Sequence, residues 1–169
     1  MGLWSGLPPA QARAQQRGVA DGGYPFTCAV LDDMTFFADG EALAEGDVED
    51  MLRGMAPALR RFGVDLRVQT VSDDDDGYVV DISGRRCPVL DADDRHRRSA
   101  WLLATVRPLA VVDDLLVGAG APVRVHTLHA GGNEGLALLL DPAVVEVVRA
   151  SGLVADRDLP EPVRPHRRR

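Results

Sequence analysis

The chain contains no lysine; all 19 of its basic side chains are arginine. That bias is what a GC-rich codon usage gives, and it carries no functional weight. No apolar run approaches the roughly 20 residues that span a bilayer, which excludes a transmembrane helix and any membrane partner that would need one. No basic residue precedes the apolar ones in Met1-Gly2-Leu3-Trp4-Ser5-Gly6-Leu7, and Pro8-Pro9 then interrupts them. A secretory signal is therefore not expected. Cysteine is scarce: Cys28 and Cys87 alone, too few for a disulfide scaffold in 169 residues. Both lie in strand-like segments and read as buried thiols in a reducing, cytoplasmic compartment, although one bridge between neighbouring strands stays open. No internal repeat is present.

What is there is enough for one domain. Apolar residues make up 46% of the chain, a normal globular fraction. Acid is concentrated in the middle: residues 25–155 hold 12 arginines against 22 aspartates and glutamates. A body with ten more acids than bases repels phosphate backbones, so nucleic acid is an unfavourable ligand for it and a basic protein a favourable one. Residues 1–24 read as a disordered arm, and residues 156–169 as a disordered Pro/Arg-rich tail ending in Arg167-Arg168-Arg169. Three charges on such a tail are weak evidence for nucleic-acid or membrane binding.

Between them the periodicity predicts an α+β fold. It is mainly an antiparallel sheet with about three helices packed on it, in the order ββ-α-βββ-α-ββ-α. Phe26–Leu31 and Met34–Ala38 are strand-like, and Asp39-Gly40 signals a turn. Val48, Met51, Leu52, Met55, Leu59 and Phe62 share a helical face, with Asp47 as N-cap, Pro57 inside and Gly63 beyond the end. Val64–Gln69, Tyr78–Ile82 and Arg86–Leu90 form a meander, closed by the run Asp73–Asp76 and by a Ser83-Gly84 hairpin turn. Asp91–Arg98 is a charged connector. The stretch from Ser99 to Leu116 is apolar nearly all round and predicts a deeply buried helix that Pro108 kinks or splits. Val123–His129 and Leu136–Leu140 predict a second hairpin. The second strand lacks polar alternation, so both its faces are covered, by its own chain or by a second copy in a homodimer. Asp141-Pro142 starts a last helix that stops at Gly152.

Several segments are candidates for chemistry. The loop Gly131-Gly132-Asn133-Glu134-Gly135 permits close backbone approach to a ligand, with Asn133 and Glu134 to bind it. It leads into a strand and lacks phosphate-loop spacing. His126 and His129 flank it. Their odd spacing puts them on opposite faces of a strand, where they cannot share a metal and read as half-exposed. Either is a potential general base, with Glu134 or Asp81 as orienter. Ser72-Asp73-Asp74-Asp75-Asp76-Gly77 resembles half of a calcium loop, but Ser83 stands where a bidentate Glu is needed and the flanks are strands, so a solvated turn is expected. Cys87 before Pro88 has no Cys-His signature. Arg85, Arg86, Arg95, Arg97 and Arg98, with His96, are expected to pair with nearby aspartates. No metal or cofactor is expected.

Two functional readings follow. The first is a non-catalytic acidic interaction protein (an inhibitor, immunity-type protein or assembly partner). It would dock another protein through Asp73, Asp74, Asp75, Asp76, Asp93 and Asp94, with Gly131, Gly132 and Asn133 as a further contact. The second is a small enzyme or ligand binder built on the Gly131–Gly135 loop with His129, Glu134 and His126.

Overall fold

A computed structural model describes residues 8–21, 26 and 33–164. The expected strand Phe26–Leu31, with Cys28, lies outside the described residues except for Phe26, which is buried. The fold is α+β, and every strand pairing in it is antiparallel. No helix among the described residues is long and apolar enough to cross a membrane.

The first departure from expectation is α1, Pro9–Ala20, in the segment read as a disordered arm. Pro9 at the helix start and a run of Ala, Gln and Arg favour it locally. None of its residues is buried, so it adds nothing to the core. Strand β1, Thr35–Phe37, leads to Asp39. Asp39, expected in a turn, caps a helix: its carboxylate accepts the backbone N–H groups of Glu41 and Ala42 at 2.9 and 3.1 Å. That helix runs through α2 (Gly40–Ala42), a π-helical turn (Leu43–Asp47) and α3 (Val48–Arg60). Gly46 breaks its path with φ of 121°, a value that favours glycine. The helix thus enters α3 already formed, and Asp47, expected as the cap, makes no capping bond. The buried Tyr78 hydroxyl donates to the Gly46 carbonyl at 2.7 Å, satisfying a group near the kink. The predicted apolar face is the real one: Val48, Leu52, Met55 and Leu59 are fully buried.

Strands β2 (Val68–Asp74), β3 (Gly77–Ile82) and β4 (Arg85–Asp91) form the expected meander. Tyr78, Val80, Ile82, Cys87 and Val89 face the core. Ser83 and Gly84 both have positive φ, as a two-residue hairpin turn requires. The charged connector contains a short helix, α4 (Ala92–Arg95). Helix α5 then runs unbroken from Ala100 to Gly118 through Pro108. Burial of Ala104, Leu109 and Val112 between the sheets holds the helix across the residue that lacks an N–H. Its ends emerge from the core, so Trp101, Leu102 and Val117 are exposed.

A second sheet has the order β1-β6-β5-β7, where β5 is Arg124–Leu128, β6 is Leu136–Leu140 and β7 is Glu161–Pro162. Ala137 and Leu139 of β6 face the main core with α3 and α5. Leu138 and Leu140 pack with Phe26, Leu128, Leu159 and Val145 of α6 (Pro142–Ser151) on the other face. The chain itself therefore covers both faces of the apolar strand, and no second copy is needed to do so. The end of the chain also differs from the expected loose tail. After a 3₁₀ turn at Asp156–Asp158, Leu159 and Val163 are buried, and β7 adds an edge to β5. Proline suits such an edge, because its missing N–H costs no ladder bond there.

Candidate functional site

The acidic run does not lie wholly in a connection. Asp73 and Asp74 end β2, and Asp75-Asp76 make the turn into β3. One oxygen of Asp74 accepts the N–H groups of Asp76 and Gly77 at 3.1 and 3.2 Å, which fixes the turn from within. Asp73 pairs with Arg95 at 2.5 Å, and its second oxygen lies beside Gly46. The residues flanking Gly46, Glu45 and Asp47, are exposed acids. The hairpin tip thus meets the kinked helix at Gly46, with the exposed Glu45 and Asp47 on either side of that contact in the chain. Asp75 and Asp76 form no ion pair among the described residues. Glu49, in α3, accepts the Thr70 backbone N–H at 2.7 Å, and hydrogen bonds from Thr70 hold its carboxyl below the usual carboxylate range. That contact occupies one backbone donor of β2, an edge strand of its sheet.

Asp94 is not one of these exposed acids. It is only 2% exposed. Arg107 donates to it at 2.6 Å and to the Val89 carbonyl of β4 at 2.9 Å. Arg97 lies 3.6 Å from its other oxygen, and Asp91 and Asp94 exchange the bonds of a capping box at the start of α4. Burial alone would raise the Asp94 carboxyl. The Arg107 hydrogen bond, the Asp91 N–H and the charges of Arg107 and Arg97 outweigh it, and the net direction is down. A carboxylate neutralised in this way cannot dock a partner; Asp93, its neighbour, is exposed. Arginine pairing with aspartate is likewise the pattern at Arg95, Arg97 and, at 3.9 Å from Asp114, Arg85.

The glycine loop approaches protein backbone closely, and the backbone is its own. A Cβ on Gly135 would sit 2.4 Å from the Ala38 carbonyl oxygen. One on Gly131, whose φ is 78°, would sit 2.8 Å from the Leu102 backbone. The Ala38 and Gly40 N–H groups donate to the carbonyls of Gly135 and Gly132 at 2.8 and 3.0 Å. These bonds clamp the loop to β1 and to the start of α2. Asn133 and Glu134 are exposed, and Asn133 reaches Glu41 at 3.4 Å.

The proposed acid–base set does not assemble. His126, expected to be half-exposed, is 3% exposed in β5, on the side facing α6. Its Nδ1 lies 3.2 Å from the Arg124 carbonyl, which can only accept, so Nδ1 carries the proton. Burial lowers its basicity. His129 is exposed with φ of 54°, outside the strand, and no hydrogen bond joins it to Glu134 among the described residues. Asp81 accepts the Gly84 N–H in the other sheet, at 2.8 Å, and orients neither histidine.

Cys87 is buried and free, and burial pushes its thiol up to about 11, with Arg107 opposing. We expect its labelling by a disulfide reagent at pH 8 to be slower than that of an exposed thiol by at least about a hundredfold and to become fast in denaturant. Comparable rates in the two conditions would show that the site opens.

Sequence reading missed Arg107 and the acids beside Gly46. Arg107 had a signal, as the one basic residue in an apolar helix downstream of an Asp-x-x-Asp capping pattern. Glu45 and Asp47 had none, since the kink at Gly46 brings them to the hairpin. No protein-family model, curated protein or solved structure matches the chain.

Proposed function

We propose that the protein is a non-catalytic interaction protein that binds a basic protein partner through Asp73–Asp76, Glu45 and Asp47. The observation that carries the reading is the hairpin tip itself. Its four carboxylates are exposed, Arg95 is paired with Asp73 alone among them, and the tip meets the helix at Gly46, between the exposed Glu45 and Asp47. Such a surface steers a basic partner and gives an association rate that falls with salt. The excess of acid over base across residues 25–155 acts in the same direction. A reducing, cytoplasmic setting suits the buried free thiol of Cys87. The small-ligand alternative at the 130–135 loop has less support, because internal packing already uses the glycines that motivated it.

The test is affinity capture from the source organism's lysate at low and moderate salt, with wild type and an Asp74→Arg, Asp75→Arg variant side by side. The expected result is one stoichiometric basic protein on wild type, lost as salt rises and absent from the variant. Equal capture by both baits would overturn the assignment of this surface.

A further inference from the structure

We propose that protonation of His126 releases the C-terminal segment 156–164 from the edge of β5. The proposal is independent of the docking reading and rests on the shortness of the strand by which that segment pairs with β5 and on the burial of His126 beside it. Strand β7 is two residues long and pairs with β5 only at His126↔Pro162 and Thr127↔Glu161. One further backbone bond, from the Val163 N–H to the Val125 carbonyl at 3.0 Å, continues the attachment. Leu159 anchors the segment in the apolar layer of Leu128, Leu138, Leu140 and Val145. His126 shares that face of the sheet, since it lies directly opposite Leu138 on β6 and two residues from Leu128 on β5. A neutral imidazole is tolerated there, because Nδ1 has the Arg124 carbonyl. A second proton adds a charge and a new Nε2–H on the face that carries the leucines and valine of that layer.

The surrounding charges do not compensate. Asp113 on α5 favours the protonated ring, but it is already engaged by the Val125 N–H at 2.8 Å. Arg149 on α6 opposes protonation and is paired with Glu146. Arg124, on the same strand, turns its guanidinium to the carbonyls of Ala121 and Val123. The covering segment carries Asp156, Arg157, Asp158 and Glu161, of which Arg157 and Asp158 lie 3.7 Å apart. The docked state therefore holds the histidine below its ordinary value of 6.5. Docking is fully favoured above that value and is lost as pH falls below it. Opening the two-residue strand relieves the cost at a short edge attachment; it withdraws Val163 from the main core, whose other buried members lie outside the segment.

Two-dimensional NMR of the full chain from pH 8 to pH 5 tests this. It follows the His126 ring protons, the amides of Leu159 and Val163, and the Val80 amide in the other sheet as reference. The expected result is loss of the native Leu159 and Val163 signals with a midpoint below 6.5 that coincides with the His126 titration, while Val80 is unchanged. In His126→Gln the transition is absent. Leu159→Ala weakens the cover without touching a titrating group, so it moves the midpoint upward, and it carries the test should His126→Gln fail to fold. The proposal is overturned by a transition that persists in His126→Gln, by a His126 that titrates with the segment still docked, by a midpoint indifferent to Leu159→Ala, or by loss of the Val80 signal at the same pH.

Discussion

Asp94→Ala destabilises the protein by about 3–5 kcal/mol, the cost of leaving a buried partner charge uncompensated. Three losses combine. Arg107 keeps its bond to the Val89 carbonyl but loses its counter-ion inside the packing of α5 against β4. The Asp91 N–H loses its acceptor, and α4 loses half of its capping box. Urea unfolding measures the effect. A double-mutant cycle with Arg107→Met separates the pair from the cap, since removing both charges costs less than the two single changes added. A loss under about 1 kcal/mol for Asp94→Ala would place the pair with exposed ion pairs and contradict the burial of Asp94. The pH dependence follows the same geometry. The folded carboxyl lies below the ordinary 3.8, so its stabilisation is present above that value and disappears as pH falls toward and through the depressed one.

Gly135→Ala destabilises by about 3 kcal/mol, at the upper end of overpacking costs, because the obstructing atom is a backbone oxygen that cannot rotate away. The Ala38 carbonyl belongs to the residue after β1 and is fixed by the sheet, so the loop has to leave its place. Gly131→Ala costs a similar amount through its positive φ and the Leu102 backbone. Gly54→Ala is the contrasting control. It lies exposed on α3 with nothing within 4 Å, and it stabilises by about 0.5–1 kcal/mol through helix propensity. Thermal or urea unfolding of the three variants checks the set. If Gly135→Ala left stability unchanged, the glycines would be free for a ligand, and the small-molecule reading of this loop would regain its motive.

The legible parts of the fold are those where one local signal decides the structure. The α3 face, the Ser83-Gly84 turn, the buried β3 face and the Asp141-Pro142 helix start each follow from spacing or from one residue's conformational needs; Asp141 indeed accepts the Ala143 N–H at 2.9 Å. Where the outcome depends on distant partners, the sequence is silent. Pro162 looks like a linker residue until β5 offers an edge that proline fits. Asp94 looks like one more solvated acid until Arg107, 13 residues later, turns out to face it. The glycine loop looks like a ligand cradle, because close approach to a ligand and close approach to one's own backbone demand the same residue. Within the candidate site, Asp73–Asp76 were readable as an exposed acidic turn. Their meeting with the helix between Glu45 and Asp47 depends on a kink placed by Gly46 and held by Tyr78, from an element more than 30 residues away.

The docking account is tested most directly by the association rate of the captured partner, measured by stopped flow across ionic strengths for wild type and for the Asp74→Arg, Asp75→Arg variant. The account predicts a wild-type rate that falls steeply with salt, a variant rate about tenfold or more lower at low salt, and a much flatter salt dependence for the variant. Two superimposable salt profiles would contradict it, and the acidic hairpin would then be only a solvated sheet end.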